Sequence, residues 1–447
     1  MQEVTIIGAG LAGSEAALQL SKRGIKVKLY EMRPTKTTGA HVSSSCAEFV
    51  CSNSLGSLDI TNASGLLKKE MEILGGELIK IAKETSVPAG NALAIAREDF
   101  ANTVTKRIEE DPNIELIREE ITEIPQGNVI IASGPLTSDD FAKSIQKFTE
   151  CEHLHFFDAI APIVEVDSID FNKAFWGARY DKGEASYINC PMNKEEYENF
   201  YNILINAPRI EGHDIDKASF FESCLPVEVL ASRGVDTLRF GPMKPVGLVD
   251  KRTGVENYAV VQLRQDNSAK TLFNLVGFQT NLKWGAQKEL VHSIPGLENA
   301  NIVRYGVMHR NTFINSSQVL NPTFETRKRE GLFFAGQITG TEGYTESIAG
   351  GLLAGINMYK RISGEELFTP PKETMLGALA NYITDRAHLA HISKRDGRLR
   401  YLPPQPINSN WAIVAPIDLP KKDKKNKKLK TELLAKRSIS VLESINL

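Results

Sequence analysis

The sequence predicts an α/β fold in which a Rossmann-like domain is made in two parts and carries an inserted α/β or α+β domain. Three observations predict it. A strand, a glycine-rich turn, a helix and a second strand follow one another near the start of the chain. From about residue 151 aromatic-rich strands and turns replace long helices, and a buried strand with a glycine-rich loop returns near residue 331. We therefore expect the first part of the Rossmann-like domain over 1–150, the insertion over 151–320 and the second part over 321–447.

The first strand and the turn after it indicate a dinucleotide site. Residues 4–7 are a short β-branched run, and GAGLAG follows in the pattern G-x-G-x-x-G before a helical stretch. Glycines there allow a tight turn and a close approach of the backbone to a pyrophosphate, which the helix N-terminus also attracts. Eighteen residues after the last of these glycines, a glutamate ends the second strand, where it can accept hydrogen bonds from ribose hydroxyls. The predicted cofactor contacts in this part are Gly8, Ala9, Gly10, Leu11, Ala12, Gly13 and Glu31.

The next elements are predicted from composition and apolar periodicity. A segment rich in Ser, Thr and Gly over about 35–64 is long for a plain connection, which favours a functional loop. Residues 65–84 are expected to form a helix because apolar residues recur on one face, and residues 98–109 form another. Residues 128–135 are a buried-strand run that ends in a glycine turn.

The second glycine-rich element favours FAD over NAD. The strand over 331–336 is followed by a glycine-rich loop and by a helix over about 347–362. Two-part flavoproteins use such an element to hold the flavin end of FAD, which is an analogy at the level of fold. A plain nicotinamide dehydrogenase has no evident need of it. We therefore expect FAD, with Gly336 and Gln337 in contact with it.

Charge and hydropathy exclude two classes of protein. The chain has 53 lysines and arginines against 55 acids, a formal charge of −2, which excludes a uniformly basic nucleic-acid coat but leaves room for a local basic patch. No run approaches about 18 apolar residues, so no membrane span is expected, and the first residues lack a signal-peptide pattern, which favours the cytoplasm. Residues 421–430 hold seven lysines and one aspartate, which is either a solvated face or a contact with a polyanion.

The five cysteines are odd in number and nowhere spaced CxxC, which argues against a disulfide scaffold and a zinc ribbon. Cys51 and Cys224 are both flanked by polar residues and turn formers, and they are the candidates for a reactive thiol. Cys151 and Cys190 are expected to be buried small hydrophobes. Two histidines near Cys151 lack an evident fourth ligand, so no metal site is expected.

Several motifs spread over nearly the whole chain carry a resemblance to a known family. They are GAGLAGSEAA, YEMRP, VCSNSL, VPAG, LRFGPMKPVGL, HRNTFIN and GLFFAGQITG. Together they resemble the bacterial folate- and FAD-dependent RNA uracil-5-methyltransferases, the TrmFO family. The related MnmG flavoproteins share the FAD pattern, but this chain ends without their extra helical domain and has the cysteine of VCSNSL. The chain departs from the family at Gly56, where an arginine is usual, and in the run over 406–411.

The resemblance implies a reaction and its reactants. It implies methylation of C5 of a uridine in RNA, with 5,10-methylenetetrahydrofolate as carbon donor, reduced FAD as methylene carrier and hydride source, and NADPH or NADH as the reductant of the flavin. It also implies that Cys51 attacks uracil C6, that Cys224 removes the C5 proton and that Tyr344 lies beside the flavin ring. A thiolate is the competent form in each role, so a nearby cation or helix N-terminus is expected at each cysteine.

Several alternatives stay open at this point. The RNA is expected to be tRNA, methylated in the T-loop, with ribosomal RNA as the alternative. The two cysteines could exchange roles. An FAD-dependent oxidoreductase acting on a small substrate, and an RNA-binding protein that keeps FAD for stability, are the other functions considered. The sequence leaves the oligomeric state open. Residues that could line the folate or RNA site are His309, Arg310, Asn311, Arg239 and Lys244.

Overall fold

A computed structural model describes residues 3–151, 154–159, 161–181, 184–210, 225–255, 257–392, 399–401, 405–420, 423 and 426–445. The helices are α1 Leu11–Ser21, α2 Ala63–Ile73, α3 Leu78–Glu84, α4 Arg97–Glu109, α5 Asp139–Thr149, α6 Lys194–Asn206, α7 Val227–Ser232, α8 Thr237–Phe240, α9 Trp284–His292, α10 Ser316–Val319, α11 Tyr344–Ser363, α12 Met375–Thr384 and α13 Lys427–Glu443.

The strands of the first half are β1 Glu3–Ile7, β2 Lys26–Tyr30, β3 Ser54–Ser57, β4 Ser86–Val87, β5 Ala92–Ile95, β6 Ile114–Ile117, β7 Asn128–Ile131, β8 Leu154–Ala159 and β9 Ile163–Glu165. Those that follow are β10 Phe175–Gly177, β11 Tyr187–Met192, β12 Ala259–Gln265, β13 Leu272–Leu275, β14 Ile302–Arg304, β15 Met308–Phe313, β16 Leu332–Phe334, β17 Ala390–Ile392 and β18 Leu399–Tyr401.

A parallel sheet forms the Rossmann-like part of the molecule. Its strand order is β16-β7-β1-β2-β6, and every neighbouring pair runs parallel. Helices α1 and α11 pack closely against each other beside this sheet, and its strands β7 and β16 consist mostly of buried apolar residues, whereas β2 alternates buried and half-buried residues. The crossing depends on small residues, since a Cβ on Gly351 would lie 2.2 Å from the carbonyl oxygen of Ala12. The predicted α/β class is confirmed.

A second, antiparallel sheet has the order β10-β11-β12-β13-β9-β14 and is built from residues between the strands of the first sheet. Helices α6, α7 and α9 contribute to its apolar core, in which Tyr197, Phe200 and Phe273 are buried. Residues 3–131 and 332–334 supply the first sheet, on either side of this segment in the chain. The domain limits at 150 and 320 remain predictions.

Two predicted helices differ from the observed ones. Residues 65–84 form α2 and α3 rather than one helix, because Gly75 adopts φ +78° and ends the first of them. The helix expected from about 347 begins at Tyr344, directly after Gly343 with φ +115°. The helix predicted over 98–109 is confirmed as α4, and the buried-strand run predicted over 128–135 contains β7, which ends at Ile131.

A buried carboxylate joins the C-terminal helices to the first part. Glu70 on α2 accepts hydrogen bonds from the backbone N–H groups of Met375 and Leu376 at 2.7 and 2.8 Å, and from Ser438 Oγ on α13 at 2.5 Å. Burial raises the pKa of Glu70 to about 7. Within the described part of the chain, no helix has the length and apolarity needed to cross a membrane.

Candidate active site

A cavity of about 600 Å³ opens where α1 and α11 begin. Ligand sites of open α/β sheets lie at the carboxyl ends of the strands, which is the position of this cavity. The predicted site residues among those lining it are Gly8, Gly10, Leu11, Ala12, Glu31, Cys51, Gly336, Gln337 and Tyr344. Two helix N-termini therefore meet at the same opening and offer it N–H groups that lack intrahelical acceptors.

The three glycines of the turn have different surroundings. A Cβ on Gly8 would lie 2.5 Å from the carbonyl oxygen of Ala132, and Gly8 adopts φ +99°. A Cβ on Gly13 would lie 1.8 Å from the carbonyl oxygen of Gly8, so close packing of helix on strand requires glycine there. A Cβ on Gly10 would meet nothing within 4 Å. This open space beside a helix N-terminus fits the pyrophosphate of a dinucleotide such as FAD.

Glu31 lies at the edge of the same cavity. Its Oε2 accepts the N–H of Ala9 at 3.0 Å, and its Oε1 accepts Nε of Arg33 at 2.9 Å. Burial alone would raise the pKa of Glu31, but the hydrogen bonds and charge of Arg33 outweigh it and the pKa is lowered. The carboxylate is therefore ionised at neutral pH, which suits an acceptor for ribose hydroxyls.

Cys51 and Tyr344 are in direct contact although they are 293 residues apart in the chain. The backbone N–H of Cys51 donates to Tyr344 Oη at 2.7 Å, and Cys51 Sγ lies 2.9 Å from the same oxygen. Burial, together with the charge of Cys51, raises the pKa of Tyr344 well above its ordinary value, so the phenol keeps its proton. A phenol O–H that already accepts an N–H can donate its own proton to sulfur, and such a bond favours a thiolate.

Arg97 holds the backbone of the cysteine loop. Its Nη1 and Nη2 donate to the carbonyl oxygens of Phe49 and Cys51, each at 3.1 Å, and its Nε donates to Asp266 at 2.9 Å. The ion pair is almost fully buried. Asn53 joins the loop to the second sheet in the same way, because its side chain donates to the carbonyl oxygens of Ile95 and Gln265. The second sheet therefore helps to position Cys51, through Gln265 at the end of β12 and Asp266 after it.

Lys68 holds the backbone of the segment that follows Cys51. Its Nζ donates to the carbonyl oxygens of Leu55 and Ser64 at 2.6 and 2.8 Å, and burial lowers its pKa to about 8. Gly56, where the family usually has arginine, adopts φ +77°, and a Cβ there would lie 2.9 Å from Ser64 Oγ. A side chain at position 56 would be strained in this backbone, so the departure suits the local structure.

Comparison with known proteins gives three findings. The family model described as Glucose inhibited division protein A matches residues 3–366. A protein of Anoxybacillus flavithermus with the name methylenetetrahydrofolate–tRNA-(uracil-5-)-methyltransferase TrmFO is 55% identical over 442 residues, 99% of each chain. One of Bacillus velezensis with the same name is 53% identical over 445 residues, 100% of this chain and 99% of that protein. The chain belongs to the TrmFO family.

The solved structure of Aquifex aeolicus GidA in its form II crystal shares the fold of this TrmFO-family chain. The TM-score is 0.67 at 17% identity, covering 98% of this chain and 73% of that one. At this identity the likeness concerns the fold alone. It agrees with the predicted Rossmann-like architecture.

The remaining predicted residues of this TrmFO-family chain are the second cysteine and the candidates for the folate or RNA site. Cys224 lies outside the described residues, as do the side chains of His309 and Arg310. Asn311 is fully buried, and neither polar atom of its side chain has a hydrogen-bond partner. Arg239 lies in the segment that builds the second sheet, where its Nε donates to the carbonyl oxygen of Tyr258 at 3.0 Å. It does not line the cavity.

The other cysteines differ in exposure. Burial raises the pKa of the Cys46 thiol to about 11. Cys190 is buried as predicted, and burial raises its pKa still further. The prediction for Cys151 is wrong, because it is only half-buried and its thiol donates to Gln318 at 3.1 Å. Among the described residues, no three His, Cys, Asp or Glu side chains are grouped so that they could hold a metal ion.

The run over 406–411 forms one wall of the cavity. Ile407 exchanges backbone hydrogen bonds with the loop before α11, at 2.7 Å to Glu342 and 3.0 Å to Gly340. Ser409 donates twice to Glu346, and Asn408 and Ser409 line the cavity. This wall, Arg97, Asn53 and Lys68 were not predicted as site residues. The signal available for Asn53 was its place within VCSNSL, two residues after the cysteine.

Proposed function

We propose that the protein transfers the one-carbon unit of 5,10-methylenetetrahydrofolate to C5 of a uridine in tRNA, with FAD as cofactor and NADPH or NADH as reductant, in the cytoplasm. The observation that carries the proposal is the contact between Cys51 and Tyr344 at a cavity shaped for a dinucleotide. The TrmFO relatives that cover 99% of the chain or more bear the name of this activity. Addition to uracil C6 requires a cysteine whose thiolate form is stabilised, and the hydrogen bond from Tyr344 favours that form.

The residues of the first turn and of the second glycine-rich element would hold FAD. Gly10 and the start of α1 would hold the pyrophosphate, and Glu31 would accept hydrogen bonds from the ribose. Gly336 and Gln337, with the start of α11, would hold the flavin part. The chemistry that FAD supplies when bound is two-electron reduction, which converts a methylene group to a methyl group.

Cys51 makes C5 of the uracil nucleophilic. Its thiolate forms a bond to C6, and the displaced electron pair moves onto C5 and the C4 carbonyl. The O–H of Tyr344 donates to the thiolate before attack, and Arg97 fixes the carbonyl oxygen of Cys51 so that Sγ stays directed at this position. The C5 pair forms the bond to the one-carbon unit, and when Cys51 leaves C6 at the end the C5=C6 double bond is restored and the electron pair of the C6–S bond goes to sulfur.

Cys224 removes the proton from C5 after the one-carbon unit is attached. This role follows from the family resemblance, and the exchange of roles between Cys51 and Cys224 is the alternative. A base is needed because C5 cannot return to the aromatic pyrimidine while it carries both a proton and the new carbon.

One experiment tests this function. Purified protein is incubated with labelled methylenetetrahydrofolate, reduced nicotinamide and unmodified tRNA and ribosomal RNA transcripts, and the labelled nucleoside is mapped. We expect label in 5-methyluridine of the tRNA T-loop. Label confined to ribosomal RNA would move the substrate to the alternative. No label in RNA, with rapid nicotinamide oxidation on a small acceptor, would instead support the oxidoreductase.

A further inference from the structure

Two aromatic side chains stack on each other at the protein surface, in the part of the molecule that contains the second sheet. Trp284 is the first residue of α9, and its ring centroid lies 5.5 Å from that of Tyr305 with an interplanar angle of 18°. Trp284 is 61% exposed. A large aromatic residue this exposed, held parallel to a second ring, leaves a flat apolar face in contact with water.

Cations flank this aromatic pair. Lys283 precedes the tryptophan, and Lys288 lies one helical turn further along α9 on the same face, and both are exposed. Arg304 directly precedes Tyr305. Glu289 is the exposed acid that α9 carries beside Lys288. Aromatic faces next to lysines and arginine are the composition of surfaces that bind single-stranded nucleic acid.

The residue before Tyr305 contacts a segment that reaches the cavity. Arg304 Nη2 donates to the carbonyl oxygen of Ala40 at 2.9 Å, and the next residue, His41, lines the cavity. Burial lowers the pKa of Arg304, and the charge of Arg97 adds to this while that of Glu48 opposes it. Arg97, which holds the backbone of Cys51, is therefore close enough to Arg304 to act on it electrostatically.

We propose that Trp284 and Tyr305 form a stacking platform for an unpaired base of the RNA that neighbours the target uridine. The platform rests on the proposed function. A uridine must leave its stack to reach Cys51, and this exposes the face of the next base along the strand. The aromatic pair receives that base, and Lys283 and Lys288 contact the phosphates on either side of it.

A second exposed tryptophan provides a matched control. Trp176 is 45% exposed and stacks on Phe171 with centroids 5.9 Å apart. The charged side chains beside it pair with each other, Lys251 with Asp181 at 3.0 Å and Arg252 with Asp250 at 2.8 Å. The two cations beside this second pair are therefore matched by two acids, and we expect the pair to make no contact with RNA.

The test measures binding of an unmodified tRNA transcript to the flavin-loaded protein by fluorescence anisotropy over a range of salt. We expect Trp284→Ala to weaken binding by about 10- to 100-fold and Trp284→Phe to restore most of it, because any aromatic ring can stack. Lys288→Ala is expected to reduce the salt slope by about one, whereas Trp284→Ala leaves that slope unchanged. Trp176→Ala should bind as the wild type does. The visible flavin spectrum checks that each variant is folded.

Three outcomes distinguish the stacking platform from a folate site and from the proposed function. RNA affinity of Trp284→Ala equal to that of the wild type would overturn the platform. A rise in the KM for methylenetetrahydrofolate with RNA affinity unchanged would also overturn it, because the pair would then belong to the folate site. Binding that depends on Trp284 in a wild-type protein that methylates no transcript would support the platform and reject the proposed function.

Discussion

The contact between Tyr344 and Cys51 leads to a quantitative prediction for Tyr344→Phe. The phenol oxygen is 2.7 Å from the backbone nitrogen of Cys51 and 2.9 Å from its sulfur, and removal of the hydroxyl deletes both hydrogen bonds. A hydrogen bond to a charged acceptor contributes about 1.5–3 kcal/mol. The thiolate should therefore be about 10- to 100-fold less populated near neutral pH, since about 1.4 kcal/mol corresponds to a factor of ten.

The assay is the rate of alkylation of Cys51, followed by mass spectrometry of its peptide, in the flavin-loaded protein between about pH 6 and 9. The expected result is a rate that falls by about the same factor near pH 7 and recovers at high pH, where the thiol ionises without help. Tyr201→Phe is the matched control, because its hydroxyl donates to the carbonyl oxygen of Ala231 away from the cavity. A Tyr344→Phe variant that is alkylated at the wild-type rate at every pH would refute the role of the hydroxyl.

Three further predictions concern the cofactor turn, the buried glutamate and the buried ion pair. Gly13→Ala should lower stability by about 3 kcal/mol because its Cβ would overlap Gly8, whereas Gly10→Ala should unfold near the wild-type midpoint but bind less flavin; urea unfolding and visible absorbance separate the two. With Glu70 at a pKa of about 7 when folded and near 4.5 when unfolded, the folded protein binds more protons between these values. Stability should then fall by about 3 kcal/mol as pH rises through that window, and Glu70→Gln should remove this pH slope in urea unfolding. Arg97→Ala should cost about 3–5 kcal/mol because it leaves Asp266 buried without its partner, and Asp266→Ala in the same chain should recover part of that loss.

The parts of the structure that the sequence predicted are those with local patterns. Gly8, Gly10 and Gly13 are specified by one turn, and Glu31 by the strand that follows it, so spacing alone brings them together. Apolar periodicity likewise placed α4, and a continuous apolar run placed β7. The same periodicity continued through Gly75 and hid the break between α2 and α3, because the apolar face resumes after the turn.

The parts that could not be predicted depend on contacts between distant segments. Cys51 and Tyr344 were each singled out, but spacing in the chain says nothing about a contact across 293 residues. Arg97 is an ordinary helix-start residue in sequence, and its role comes from two carbonyl oxygens and Asp266 on the other sheet. Buried polar residues such as Asn53 have no hydropathy signal, because hydropathy treats them as surface residues.

The central claim is that the sulfur of Cys51 bonds to C6 of the target uracil. It is tested most directly with a tRNA T-loop transcript that carries 5-fluorouridine, whose C5 fluorine cannot be removed as a proton, so the adduct stays bonded to the enzyme. After reaction with methylenetetrahydrofolate and reduced nicotinamide, proteolysis and mass spectrometry locate the modified peptide. We predict the nucleotide on the Cys51 peptide and no adduct in Cys51→Ala. An adduct on Cys224, or on neither cysteine while natural transcripts are methylated, would contradict it.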